Sequence, residues 1–282
     1  MKVYWHLSDK IGSMTPKWLN TFREELDVTG EQQGFIGDHS LLPLDFEPEV
    51  VISLGGDGTM LSAMRRTYHM HIPYFGINFG GMGFLSPHDP NQHAMYASGL
   101  KEYIASPKVI GQMDHTKMIK EVFQGSYCRL DTKDTFPPFF NDCVITNENR
   151  GQACRFGLKI DGSDFGTITG DGLIISTPMG STAYSLSAGA SICDPSLSAI
   201  IITPICPHSL SFRPLFVSND RGVEILIKSD GFMYLDGRKE TPVYSGQILK
   251  IGSATIPVRI LKFGEPHLYF NTLHSKLGWV VG

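Results

Sequence analysis

The chain has 282 residues, 41% of them hydrophobic and 18% charged, the balance of a folded protein long enough for one large or two medium domains. With 24 Lys and Arg against 28 Asp and Glu, its formal net charge is −4, which excludes a global positive field for nucleic acid or an anionic membrane. Phosphate must therefore be held locally, by backbone N–H groups, a metal or a few basic side chains.

The first third alternates strand and helix signals. Lys2 to Leu7 reads as a short strand, and Trp18, Leu19, Phe22 and Leu26 give Pro16 to Leu26 helical spacing. Glu49 to Leu54 carries the apolar run Val50-Val51-Ile52 and ends at Gly55, as a strand buried on both faces of a parallel sheet does. Thr59 to Tyr68 predicts a helix, Pro73 to Ile77 a strand, and Asn91 to Ser106 another helix. This alternation implies a doubly wound α/β domain over residues 1–112.

From about Gln112 the segments become short, β-rich and separated by turn dipeptides. Asp161-Gly162 between Phe156–Ile160 and Phe165–Ile168 is a hairpin signal, and Asp171-Gly172, Asp230-Gly231 and Asp236-Gly237 continue the pattern. Val223–Ile227 and Ile256–Leu261 read as strands, and Gln124 to Pro138 as a polar loop or an excursion within the β domain. The expectation is a β-rich, sandwich-like domain over residues 113–255. Residues 256–282, with helical spacing from Phe270 to Trp279, are expected to return to the first domain.

The five cysteines, Cys128, Cys143, Cys154, Cys193 and Cys206, are odd in number and form no C-x-x-C, which argues against a disulfide framework or a zinc knuckle. No signal-peptide pattern and no run of about 18 apolar residues occurs. Reduced thiols in a cytoplasmic protein, away from any membrane, are the expectation.

Two motifs carry chemistry. Gly55-Gly56-Asp57-Gly58-Thr59 lies where a strand ends and a helix begins, the place where open α/β sheets bind ligands. Glycines let a phosphate approach the backbone, and the helix N-terminus offers unpaired N–H groups. Thr59 can cap that helix or contact an anion. Asp57 has three open readings: a turn former, a ligand for Mg²⁺ carried by a nucleotide, or the acceptor of a hydroxyl proton. No G-x-x-x-x-G-K-[ST] is present.

The second motif runs from Gly170-Asp171-Gly172 to Gly189. Leu173-Ile174-Ile175 predicts a strand, Pro178-Met179-Gly180 a turn, and Ala183 to Gly189 a helix capped by Ser181 or Thr182. Ser176, Thr177, Ser181, Thr182, Ser185 and Ser187 offer uncharged hydrogen-bonding groups suited to a base or a sugar, and Tyr184 can stack on a ring. A Ser/Thr-rich turn without a ligand is the plain alternative. Gly180-Ser181-Thr182-Ala183-Tyr184 is not a nucleophile elbow.

Together the motifs resemble the NAD kinase family. Val51 to Leu61 is similar to its first signature, Gly76-Ile77-Asn78 with Gly83-Phe84-Leu85 to the next, and Asp171 to Gly189 to its long third one. Pro207-His208-Ser209-Leu210, Arg213-Pro214 and the tail from Tyr269 to Trp279 also look familial. The resemblance implies a kinase that moves a phosphoryl group from ATP or polyphosphate, with Mg²⁺, to the 2′-hydroxyl of the adenosine ribose of NAD.

It further implies that Asp57 activates or orients that hydroxyl, and that Gly55, Gly56, Gly58 and Thr59 sit against the donor. Asp57 and Gly58 would also touch NAD, which Phe84 would line. Asn141 and Asp142 would hold the ribose. Thr182, Ala183, Tyr184 and Ser187 would surround the adenine. Asp171, with Thr169 nearby, would approach the nicotinamide half across a subunit interface, in a homodimer or homotetramer. The chain departs from the family pattern in having Asn141-Asp142 for Asn-Glu, Gly189-Ala190 for Gly-Gly, and Thr169 where some members carry Arg. Two rival readings stay open: a lipid kinase of the diacylglycerol or sphingosine type, and a sensor that binds NAD or NADP without turnover.

Overall fold

The computed structural model describes residues 1–8, 16–35, 37, 41–42, 45–80, 83–105, 118–123, 126–130, 136–147, 152–254, 257–263 and 268–278. Strand β1 (Lys2–Leu7) is followed by α1 (Pro16–Glu25), β2 (Gly30–Phe35), β3 (Val50–Leu54), α2 (Asp57–Thr67), β4 (Pro73–Ile77), α3 (His93–Ala105) and β5 (Met118–Phe123). Next come β6 (Ser126–Leu130), β7 (Asp142–Thr146), β8 (Cys154–Ile160), β9 (Ser163–Gly170), β10 (Gly172–Ser176) and the single-turn α4 (Tyr184–Ser187). Then follow β11 (Ala199–Ile205), β12 (Leu215–Ser218), β13 (Val223–Ile227), β14 (Gly231–Leu235), β15 (Arg238–Val243) and β16 (Ile248–Ser253). Strand β17 (Val258–Phe263) and α5 (Leu268–Leu277) complete the described elements. The chain forms two compact units, Met1–Val122 with Val258–Gly282, and Phe123–Pro257. The sequence placed these turnovers at residues 112 and 255.

The first unit is a sheet in the order β2-β1-β3-β4-β17-β5, and the pairs β1–β2, β1–β3, β3–β4 and β4–β17 are parallel. All five residues of β3 and of β4 are buried, because helices cover both faces. Phe22 and Leu26 from the α1 side, with Tyr96, Ala97 and Leu100 of α3, pack with Val3, Trp5, Leu7, Ile52 and Leu54. Strand side chains alternate in direction, so Tyr4 points to the other face, where the Arg66 guanidinium of α2 lies 5.8 Å from its ring centroid. Helices on both faces make the sheet doubly wound.

One buried histidine ties this sheet together. His88 stacks on Phe75 with centroids 4.3 Å apart. Its Nε2 accepts the Phe263 N–H at 2.8 Å, so Nδ1 carries the proton and donates to the Gly76 carbonyl at 2.6 Å. Burial lowers its pKa to about 4, which leaves a neutral imidazole linking β4 to β17.

The second unit stacks two antiparallel sheets, β12-β11-β10-β7-β14-β15 and β6-β16-β13-β8-β9. Their inward residues share one core, with Cys143, Ile145, Leu173, Ile175 and Ile202 from one sheet and Phe156, Leu158, Ile225 and Ile251 from the other. Asp161 and Gly162 take φ of 48° and 77° between β8 and β9, and Asp236 and Gly237 take 49° and 78° between β14 and β15. Both φ values are positive in each pair, as a two-residue hairpin turn matching strand twist requires.

Some expectations need correction. Of the two readings for Gln124 to Pro138, loop or excursion within the β domain, the loop does not hold throughout, because the stretch contains β6. Asp171-Gly172 is the point where the chain passes from β9 in one sheet to β10 in the other, not a hairpin turn. Ser106 and Trp279, expected at helix ends, lie outside the described residues. Cys143, Cys154 and Cys193 are buried free thiols and Cys206 is an exposed one. Among the described residues no helix is long and apolar enough to cross a membrane.

Candidate active site

In the first unit the site begins where β3 ends. Gly55 takes φ of 152°, and its missing Cβ leaves room for Thr59 Oγ1, which would lie 2.3 Å from it. Helix α2 starts at Asp57 with Gly56 as its N-cap residue, two residues earlier than the periodicity predicts. Thr59 is consequently not the cap; it is buried in the first turn.

The Asp57 carboxylate is clasped by the segment that follows β4. Its Oδ2 accepts the Phe84 N–H at 3.0 Å, and Oδ1 accepts those of Leu85 at 2.9 Å and Ser86 at 3.3 Å. Gly83 makes the clasp possible, since a Cβ there would stand 2.3 Å from Asp57 Oδ1. The Lys276 ammonium of α5 lies 3.5 Å from Oδ2 and 4.7 Å from the Phe84 ring centroid. Tyr269 packs on the other element of that contact, with its ring centroid 5.7 Å from that of Phe84. Gly58 is exposed and Gly56 half-buried, so the backbone at this helix N-terminus is open to an anion.

In the second unit a cavity of about 430 Å³ is lined by Asn141, Asp142, Ala183, Tyr184, Tyr234 and Asp236, among others. Asp236, at the β14–β15 turn, organises one wall. Its carboxylate accepts backbone N–H groups from Phe140 at 3.1 Å, Asn141 at 2.7 Å and Asp142 at 3.2 Å. Its own N–H donates to the Asp142 carbonyl at 2.9 Å. The Asp142 side chain is 5% exposed, and burial together with the Asp236 carboxylate pushes its pKa up to about 7. Gly180 packs flat on the same segment; a Cβ there would meet the Asn141 carbonyl oxygen at 2.0 Å.

Four hydroxyl groups of the run follow the plainer of its two sequence readings. Ser176, Thr177, Ser181 and Ser185 are buried and bonded internally. Thr177 donates to the Phe140 carbonyl and accepts the Gly180 N–H at 3.1 Å. Ser181 accepts the Cys193 N–H at 2.9 Å, and Ser185 pairs with Thr203 at 2.9 Å. Neither Ser181 nor Thr182 caps a helix: Met179–Thr182 is a 3₁₀ turn, Thr182 Oγ1 points back to the Met179 carbonyl, and α4 is one turn long. Tyr184 and Ser187 are exposed. Thr169 and Asp171 lie at the β9–β10 junction, Asp171 exposed, and neither lines the cavity. Gly189 takes φ of 89°, so of the Gly189-Ala190 pair only the first position requires glycine; Ala190 is buried beside Cys193 and Ile201.

Lys276 and Asp236 were given no role by the sequence: Asp236 was read as part of a turn dipeptide and Lys276 as part of the familial tail, and the groups each one meets lie far away along the chain.

A glycine-lined helix N-terminus presenting one carboxylate, in a chain whose other unit carries a cavity edged by Asn141, Asp142 and Tyr184, fits a phosphotransferase. Two family models match the chain: the ATP-NAD kinase N-terminal domain over residues 40–103 and the ATP-NAD kinase C-terminal domain over residues 140–263. NAD kinases of Thiobacillus denitrificans and Clostridium tetani are each 34% identical to it. The first match spans 85% of this chain and 80% of the relative, the second 81% and 80%. The chain therefore belongs to the NAD kinase family and is a kinase. Its fold is shared with the crystal structure of yeast NADH kinase complexed with NADH, at 23% identity and a TM-score of 0.78 over 100% of this chain and 89% of that one. It is shared also with an NAD kinase from Archaeoglobus fulgidus in complex with ATP, at 22% identity and a TM-score of 0.73, both chains being covered in full.

Proposed function

We propose that this enzyme transfers the terminal phosphoryl group of ATP, or of polyphosphate, to the 2′-hydroxyl of the adenosine ribose of NAD, giving NADP. The observation that carries this reading is the Asp57 carboxylate, fixed by three amides at the N-terminus of α2. In this reading the donor phosphates lie along the Gly55–Gly58 backbone. The ribose hydroxyl forms its new O–P bond as the donor's terminal P–O bond breaks, and its proton passes to Asp57. One oriented carboxylate supplies roughly 10²- to 10⁴-fold by such base action. The Asn141, Asp142 and Tyr184 cavity receives the adenosine. Yeast NADH kinase was crystallised with NADH and the Archaeoglobus enzyme with ATP, which supports these two ligand classes here.

Among the described residues no three His, Cys, Asp or Glu side chains converge on one point. A magnesium ion keeps several waters and leans on substrate phosphates, so it is proposed to come with the donor. Its contribution would be to neutralise phosphate charge. Asp57 is the carboxylate in reach of such an ion. The exposed Asp171 is proposed to complete the nicotinamide end of the site in a neighbouring copy, as a homodimer or homotetramer, in the cytoplasm.

The test is NADP formation by the purified chain with Mg²⁺, crossing NAD and NADH with ATP and polyphosphate. Turnover with NAD is expected. Tight NAD binding without turnover would overturn the kinase step in favour of a sensor, and phosphorylation of a lipid instead would overturn the acceptor.

A further inference from the structure

The basic residues nearest to the Asp57 motif in sequence are Arg65 and Arg66, which suggests that α2 itself supplies a cation to an anionic ligand. In the fold they sit in the last turn of α2 and are 6% and 8% exposed, with Arg66 laid over Tyr4. The cation at the carboxylate comes instead from α5, 219 residues further along the chain.

Three features of Lys276 bear on its use. Its contact with Asp57 Oδ2 is long, 3.5 Å, while the Phe84 amide holds the same oxygen at 3.0 Å. Charge rather than hydrogen-bond geometry therefore keeps it there. Its side chain is 36% exposed, with the ammonium 4.7 Å from the Phe84 ring centroid, so the ammonium can swing without leaving a buried charge behind. The oxygen it guards is the one with a single amide partner, whereas Oδ1 has two.

We propose that Lys276 is the cation supplied to the phosphoryl group in transfer, parked on Asp57 and Phe84 until a polyphosphate chain arrives. This inference rests on the kinase reading above. The arriving phosphates carry more negative charge than one carboxylate and take the ammonium. Oδ2 is thereby released to face the acceptor hydroxyl. In the transfer the acceptor O–P bond forms, the donor P–O bond breaks with its electron pair leaving on the donor phosphate, and the hydroxyl proton goes to Asp57. Lys276 stays protonated throughout and stabilises the equatorial oxygens. Donor binding and base release thus become one event, which holds Asp57 idle while the donor site is empty.

The experiment compares the full chain with Lys276→Met, which keeps an unbranched apolar stem without the charge, and Lys276→Arg. Inorganic tripolyphosphate serves as the anion probe. With Lys276→Met, kcat over KM for ATP is expected to fall about 100-fold, the inhibition constant of tripolyphosphate to rise about tenfold, and KM for NAD to stay within twofold. Lys276→Arg is expected to recover part of kcat. Unchanged donor kinetics in Lys276→Met would overturn the proposal. So would equal losses for both substrates with a lowered unfolding midpoint, which would make Lys276 a structural contact. Failure of the unaltered protein to make NADP overturns the kinase reading instead, and the tripolyphosphate comparison by calorimetry then still tests Lys276 as an anion ligand.

Discussion

Asp57 and Asp142 are chemically identical residues set in opposite surroundings. Asp57, in the first unit, receives three backbone N–H groups and an ammonium, so its charge is met on several sides and its direction is fixed. Asp142, in the second unit, is buried against another carboxylate, Asp236, which takes the three amides of the segment for itself. The first arrangement favours a carboxylate ready for chemistry. The second favours a carboxyl group that holds its proton to about pH 7 and can donate as well as accept a hydrogen bond. The lesson is that an aspartate's role follows from which group owns the nearby amides.

The largest test of this contrast is on stability. Asp142 has a folded pKa of about 7 against an ordinary 3.8, so the folded state binds the extra proton. The stabilisation is complete below about pH 4 and is lost as pH rises to 7. Asp142→Asn is expected to stabilise the second unit at pH 8 by up to about 4 kcal/mol, with no gain at pH 4. Denaturant titration read by hydrogen exchange in β7 measures it, and an equal change at both pH values would erase the contrast.

The first unit is expected to respond with the opposite sign. His88 has a folded pKa of about 4 against an ordinary 6.5, so unfolding takes up a proton between these values. Stability is full above pH 6.5 and falls by up to about 3 kcal/mol as pH drops to 4. Exchange at β4 and β17 amides, corrected for intrinsic rates, should track that fall. A flat profile there would show that His88 charges without cost.

Asp57→Asn keeps the shape of the clasp and removes the base. It is expected to lower kcat at least about 100-fold, near 2.7 kcal/mol, with KM for NAD within twofold. A variant with near-normal kcat would reduce Asp57 to a turn-forming role. The smallest effect is expected from Asp236→Ala. Freeing three amides should loosen the Asn141–Asp142 wall and raise KM for NAD about tenfold, near 1.4 kcal/mol, with kcat within threefold. If kcat falls instead, Asp236 belongs to the chemistry and not to positioning.

The sequence made the sheet core legible because β3 and β4 are continuous apolar runs buried on both faces, a pattern needing no partner to be read. Strand β2 was illegible for the converse reason. Its residues Gly30-Glu31-Gln32-Gln33-Gly34-Phe35 carry no apolar alternation, and it is a strand only because the β1 edge offers backbone partners. Strand β6 was hidden likewise inside a polar stretch and pairs with β16. For the candidate site, a local motif drew attention to Asp57, and the family resemblance to the Asn141-Asp142 pair. The partners that set their behaviour are backbone amides 27 to 29 residues away for Asp57, and a hairpin carboxylate 94 residues away for Asp142. Backbone donors have no sequence signature. The serines and threonines left two readings open for a related reason: hydroxyl groups look alike in sequence whether they face a ligand or cap a buried carbonyl.

The order in which the chain visits its two units has a consequence during synthesis. Residues up to 257 contain every strand of both second-unit sheets, but β17, which lies between β4 and β5, and α5, which carries Lys276, come afterwards. On the ribosome the second unit can fold while the sheet of the first still lacks an interior strand, since domains generally fold as they emerge. A polypeptide that ends at residue 257 thus holds every residue lining the cavity and the amides that clasp Asp57, but not the Lys276 ammonium beside them. Translation completes the two sandwich sheets first and the parallel sheet last.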